Sequence, residues 1–116
     1  MIWALEDHPL LDTEARAAIG DARNTVAVSA ASVWEISIKM RAGKLRPPVD
    51  DVVGDIARRF TMLPITPAHG WAAGALPLHH RDPFDRILVA QAQIESLTIV
   101  TRDLKIARYQ VAVLPA

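Results

Sequence analysis

An α/β fold, a parallel sheet with helices on both faces, is what this sequence predicts, and three observations carry the prediction. Short runs rich in valine and isoleucine alternate with longer stretches of helical periodicity. The strand-like runs are TVAV at 25–28, MLPI at 62–65, LTIVT at 97–101 and VAVL at 111–114. Most are separated by helical segments, the crossovers that parallel strands need. Each is nearly all apolar, as strands covered on both faces are. With 116 residues the chain holds one domain around one core.

Taken in order, Asp12 suits the N-cap of a helix over about 13–22, with Ala15, Ala18 and Ile19 on its inner side. After TVAV, Ser29 caps a helix through about Ala42, which Gly43 ends after Lys39 and Arg41 in the last turns. Apolar residues (Ala31, Val33, Trp34, Ile36, Ile38, Met40) take up nearly every face of that helix, so it is expected to be largely buried. Pro47 and Pro48 open a further helix to about Arg59, and Pro64 makes MLPI an edge strand. A helix follows Thr66-Pro67 to about Gly74. Asp82-Pro83, a cap with proline at the first helical position, starts another that runs to about Ser96. Sites in such sheets form beyond the carboxyl ends of the strands. No repeat, linker or low-complexity stretch interrupts the chain.

Composition narrows the function. Hydrophobic residues make up 51% of the chain, and thirteen basic side chains balance thirteen acidic ones. A molecule neutral overall is not a general electrostatic glove for nucleic acid. Residues 1–35, however, hold six acids against two bases, a net of −4, which leaves +4 on the remainder. Cysteine is absent, which excludes disulfides, thiolate metal sites and a cysteine nucleophile. No apolar run has bilayer length, and no basic region precedes an apolar run at the N-terminus. A cytoplasmic location is expected.

Three carboxylates stand in places a bland core does not explain. Glu35 lies in the apolar helix with Ala31 and Ile38 as helical neighbours, where a glutamate needs a partner or a cation. An i, i+4 pair with Lys39 is the alternative. Asp85 shares a helical stripe with Leu88, Val89 and Ala92, although an acid three residues after the cap Asp82 also suits a capping box. Asp103 follows LTIVT and Arg102, just past the end of a parallel strand, or else caps a short helix starting near Leu104. Carboxylate-rich sites suit Mg²⁺ or Mn²⁺, and such ions activate water against phosphodiesters.

The segments RDPFDRILVAQA and LTIVTRD, with VAVSAASVWEISIKMRAGKL upstream and WALEDHPLLDTEARAAI at the start, resemble the toxin ribonucleases of VapBC toxin–antitoxin systems, a PIN-domain class. The likeness runs over nearly the whole chain, 1–116, and the eighteen-residue separation of Asp85 and Asp103 suits the family pattern. The resemblance implies a PIN-like α/β fold with four acids around Mg²⁺ or Mn²⁺, hydrolysis of RNA, a homodimer and a cognate VapB-like antitoxin. By that likeness Glu35, Asp85 and Asp103 are the catalytic, metal-binding acids, and Arg86 is a basic position with either a structural or a phosphate-facing role.

The fourth acid of the family closes an N-terminal central strand. Here the sequence opens Met1-Ile2-Trp3-Ala4, read as already inside the first helix, so that strand and its aspartate are expected to be missing. A start placed too late would account for this, and a natural truncation with weakened stability and activity is the alternative. Leu10-Leu11-Asp12-Thr13 imitates the motif in letters but begins a helix, so Asp12 is not given the role.

Other residues are read blandly. His79-His80 are adjacent, a poor arrangement for one ion, and His8 and His69 have no partner in sequence. Trp3, Trp34 and Trp71 suit core or dimer packing better than base stacking. Lys39, Arg41, Lys44 and Arg46 form a solvated helix end; with Arg102, Lys105 and Arg108 they are also candidates for phosphate contacts. The leading function is a metal-dependent ribonuclease toxin. A catalytically impaired relative that binds antitoxin is the alternative. A response-regulator-like receiver would need an acid pair after its first strand, and no such first strand is expected here.

Overall fold

The computed structural model describes residues 2–3, 25–44, 46, 50–77, 82–101 and 106–115. Five strands form one sheet: β1 (Ile2–Trp3), β2 (Ala27–Ser29), β3 (Thr61–Leu63), β4 (Ile99–Thr101) and β5 (Val113–Pro115). Their order is β3-β2-β1-β4-β5, and every neighbouring pair is parallel. Four helices are described: α1 (Ala30–Arg41), α2 (Val52–Arg59), α3 (Pro67–Ala75) and α4 (Pro83–Glu95), with a 3₁₀ turn at Ile106–Arg108. The chain winds outward from β1 to β3 and then crosses back to β4 on the other side of β1. The strand order therefore reverses between β1 and β4, the place where open α/β sheets build their crevice.

The central position corrects the expectation that the N-terminal strand is missing. Ile2 pairs with Ala27 of β2 and with Ile99 of β4, and Trp3 pairs with Val100. An empty centre would leave the facing backbone groups of β2 and β4 without partners, and Ile2 and Trp3 stand between the two strands. Residues 4–24, with Asp12 and the helix expected over 13–22, lie outside the described residues.

Helix starts follow local chemistry. The Ser29 hydroxyl accepts from Ala31 N–H (3.0 Å) at the start of α1. At its end Gly43 takes φ +73°, and Lys44 N–H returns to Lys39 O (2.9 Å). The next helix begins at Val52, later than the proline pair suggested, because Asp51 supplies the cap: its Oδ1 accepts from Gly54 N–H (3.0 Å). A Cβ at position 54 would strike that carboxylate, so the glycine makes room for the cap. Thr66 caps α3, and Asp82 caps α4 with Pro83 at the first position.

Strands β2 and β4 are buried throughout, whereas β3 at the sheet edge is only half-covered. The core joins Leu88, Val89 and Ala92 of α4 to Ile99 of β4 and to Ile106 and Tyr109 beyond it. Helix α1 departs from expectation. It buries only Ala31 and Ser32 and leaves Trp34, Ile38 and Met40 exposed at 63%, 44% and 39%. No helix among the described residues is long and apolar enough to cross a membrane.

Candidate active site

Two helix starts are directed to the carboxyl edge of the sheet. Ser29 is both the last residue of β2 and the cap of α1, so the first turns of α1 stand at that edge. Helix α4 ends four residues before β4 begins and, as a crossover into a parallel strand, runs back along the sheet. Its N-terminus therefore lies toward the same edge. Trp34 and Phe84 join the two starts, their rings 5.0 Å apart in an edge-to-face contact. Each of these aromatics immediately precedes one of the candidate acids, Glu35 and Asp85.

Asp85 is 3% exposed in the first turn of α4. The capping is done by Asp82, whose Oδ1 accepts from Phe84 N–H at 2.9 Å. Asp85 thus sits among Leu88, Val89 and Ala92 on the buried side, as its helical stripe predicts. Its Oδ1 is enclosed and accepts no hydrogen bond, while the residue as a whole does hold interactions. A carboxylate in such surroundings is costly unless compensated.

Glu35 is less enclosed than the apolar helix suggested. Its side chain is 14% exposed, and its Oε1 lies 3.6 Å from Lys39 Nζ, the i, i+4 pair that was the alternative reading. Asp103 and Arg102 lie outside the described residues, as do His79 and His80. Among the described residues no three histidine or carboxylate side chains gather closely enough to hold a metal ion.

Arg86 turns its guanidinium to backbone. It donates to Ala73 O (2.9 Å), Leu76 O (3.0 Å) and Pro77 O (3.1 Å), sealing the carbonyl end of α3 with a cation. Of its two sequence readings, the structural one is seen. His69 was given no partner from sequence, yet it is 1% exposed and doubly engaged. Thr66 N–H donates to its Nδ1 (3.0 Å), which leaves the ring proton on Nε2 facing Glu95 Oε1 (3.0 Å). The Thr66-x-x-His69 spacing, a capping box with histidine in place of glutamate, was the signal available. Trp34 and Trp71 are not core residues; they are exposed at 63% and 86%.

An apolar groove of about 1000 Å³ runs between α1 and α2, lined by Val33, Ile36, Ile38, Met40, Val52 and Val53, with Arg41, Asp50 and Asp51 as its charges. Ile38 and Met40, two of the three exposed large apolar residues of α1, lie in it.

The PIN domain family matches residues 1–112. Ribonuclease VapC16 of Mycobacterium tuberculosis is 42% identical over 72 residues, covering 57% of this chain and 51% of that protein. The chain thus spans about half the length of that curated relative. Among solved structures, the crystal structure of VapBC2 from Rickettsia felis bound to a DNA fragment from their promoter aligns over 100% of this chain and 99% of that chain, with a TM-score of 0.67 and 16% identity. FitAB bound to the IR36 DNA fragment aligns over 99% and 94%, at TM-score 0.59 and 18% identity. FitAcB from Neisseria gonorrhoeae aligns over 98% and 96%, at 0.54 and 19%. At these identities the structural likeness bears on the fold alone.

Proposed function

Because the chain belongs to the PIN domain family, we propose that it is the ribonuclease toxin of a toxin–antitoxin pair, hydrolysing RNA phosphodiesters with a divalent cation held by Glu35, Asp85 and Asp103. The observation that carries this reading is the carboxylate of Asp85, 3% exposed in the first turn of a helix that begins toward the carboxyl edge of the sheet. The donor set is all oxygen, which fits Mg²⁺ or Mn²⁺ and not a thiolate- or imidazole-seeking metal. When bound, such a cation supplies charge neutralisation at the phosphodiester and acidity to a water.

The chain's own residues have separable tasks. Asp85 offers an enclosed carboxylate, oriented by the cap at Asp82 and by the packing of Leu88 and Val89. Glu35 offers a second carboxylate whose charge Lys39 moderates in the free protein. Asp103 follows β4 by two residues in the sequence. Arg86 holds α3 against the start of α4 and does not serve as the phosphate contact.

The antitoxin partner is proposed from the VapBC and FitAB complexes whose fold this chain shares. The uncovered groove between α1 and α2 supports it, since amphipathic segments dock in such grooves. That groove also favours the second reading, a catalytically impaired relative that still binds antitoxin.

The test is Mn²⁺-dependent cleavage of a structured RNA, with Asp85→Ala as the control for contaminating nuclease and calorimetric titration of Mn²⁺ alongside. Cleavage should fall on the order of 100-fold or more in Asp85→Ala, with Mn²⁺ affinity falling too. Unchanged cleavage and unchanged Mn²⁺ affinity in that variant would sink the assigned site. Absence of both in the wild type would leave the binding-module reading.

A further inference from the structure

The amino edge of the sheet, opposite the edge that the starts of α1 and α4 approach, holds a cleft of about 310 Å³. Thr25, Val26, Arg58, Arg59, Phe60 and Thr61 line it. The local sequence builds it: α2 ends on two arginines, Phe60 N–H returns to Ile56 O (2.9 Å), and Thr61 N–H pairs with Val26 O (3.0 Å) as β3 begins. One residue thus separates helix from strand, and it is aromatic. Both arginines lean on a single atom, Asp55 Oδ1, Arg58 at 3.7 Å and Arg59 at 3.4 Å, with side chains 67% and 66% exposed. Two cations on one carboxylate leave a unit of positive charge, and exposed pairs of this kind hold weakly. Among the described residues no acid lines the cleft, whereas the apolar groove between α1 and α2 has Asp50 and Asp51 in its wall.

We propose that this cleft binds a nucleotide, its phosphate against Arg58 and Arg59 and its base against Phe60. Guanidinium groups meet phosphate oxygens with paired, charge-assisted hydrogen bonds, and unpaired bases stack on aromatic side chains. A bare anion would use the arginines alone; the half-buried ring in the same wall selects an aromatic ring joined to phosphate. The nucleotide is a unit of a single RNA strand or a free mononucleotide, and the recognising chemistry is the same for both. Strands β2 and β3, three residues each at about 3.3 Å per residue, set the cleft about 10 Å from the carboxyl edge. The inference therefore does not depend on the nuclease reading.

Titration of the whole chain with a short fluorescein-labelled oligoadenylate and with AMP decides it, in EDTA so that no cation holds phosphate at the carboxylates. Arg58→Gln combined with Arg59→Gln should weaken binding about tenfold or more and lower the salt slope by about one phosphate contact. Phe60→Leu, which leaves the charge unchanged, should weaken it about fivefold or more, and Phe60→Tyr should keep it. Oligoadenylate binding more tightly than AMP, with these losses, supports the proposal with an RNA strand as occupant; equal affinities, with the same losses, support it with a free nucleotide. A wild-type chain that binds neither probe overturns the proposal, as does binding that the two arginine substitutions leave unchanged. Binding that falls with the arginines but survives Phe60→Leu overturns it in favour of a bare anion. Mn²⁺-dependent cleavage and its loss in Asp85→Ala are measured separately, so the two readings fail independently.

Discussion

Helices α1 and α4 make a controlled pair. Each carries one proposed acid, each starts on a side-chain cap, and each ends on a residue in the left-handed region, Gly43 at φ +73° and Ser96 at φ 56°. Both have comparable shares of apolar residues. Yet α4 buries a run from Leu88 to Ala92, whereas α1 buries only Ala31 and Ser32. The difference lies in what surrounds them. Helix α4 packs against α3 and α1 and also lies on β4, so successive faces are covered. Helix α1 packs against β2 and α4, and its Val33, Ile36, Ile38 and Met40 line the groove instead of a core. An apolar face is a demand for a neighbour, and whether the demand is met is a property of the whole fold.

The pair can be broken experimentally. The largest effect is expected from matched truncations in the two helices: Leu88→Ala should lower stability by about 2–5 kcal/mol, while Ile38→Ala, 44% exposed, should stay within about 0.5 kcal/mol. Urea denaturation measures both, and a costly Ile38→Ala would mean that α1 is covered in solution. Next comes the cap of α4. Asp82→Ala should cost about 1 kcal/mol, and because the capped turn carries Asp85, Mn²⁺ affinity should fall with it; an unchanged midpoint would show that Pro83 alone starts the helix. Smallest is the difference between the helix ends. Ser96→Gly should gain about 0.5–1 kcal/mol by relieving a side chain at positive φ, and Gly43→Ala should lose about 1 kcal/mol at the equivalent place. Thermal unfolding of the two variants should therefore shift in opposite directions, and a shift in the same direction would remove the equivalence of the two ends.

What was legible in the sequence follows the range of the interaction. Ser29, Thr66, Asp82 and Gly43 mark helix ends through bonds to residues two to five positions away, so the residues themselves announce the ends. Asp85 was readable for the same reason, its burial following from the stripe it shares with Leu88 and Val89. Strand β1 was not, because two residues are too few to show a period, and their pairing with Ala27 and Ile99 is set by partners far along the chain. The start of α2 was misread because the proline pair is a louder signal than Asp51, whose capping depends on a glycine three residues on.

By itself, then, the sequence determined the alternation of strands and helices, the family to which the chain belongs and the acid that the fold buries, since periodicity and capping are written in near neighbours. Tertiary structure alone decided that Ile2–Trp3 fills the sheet centre, that Arg86 holds the carbonyls of α3, that His69 meets Glu95, and that α1 and Trp71 keep their apolar surfaces in the open. Those outcomes depend on which residues distant in the chain arrive beside one another, and sequence spacing carries no record of that.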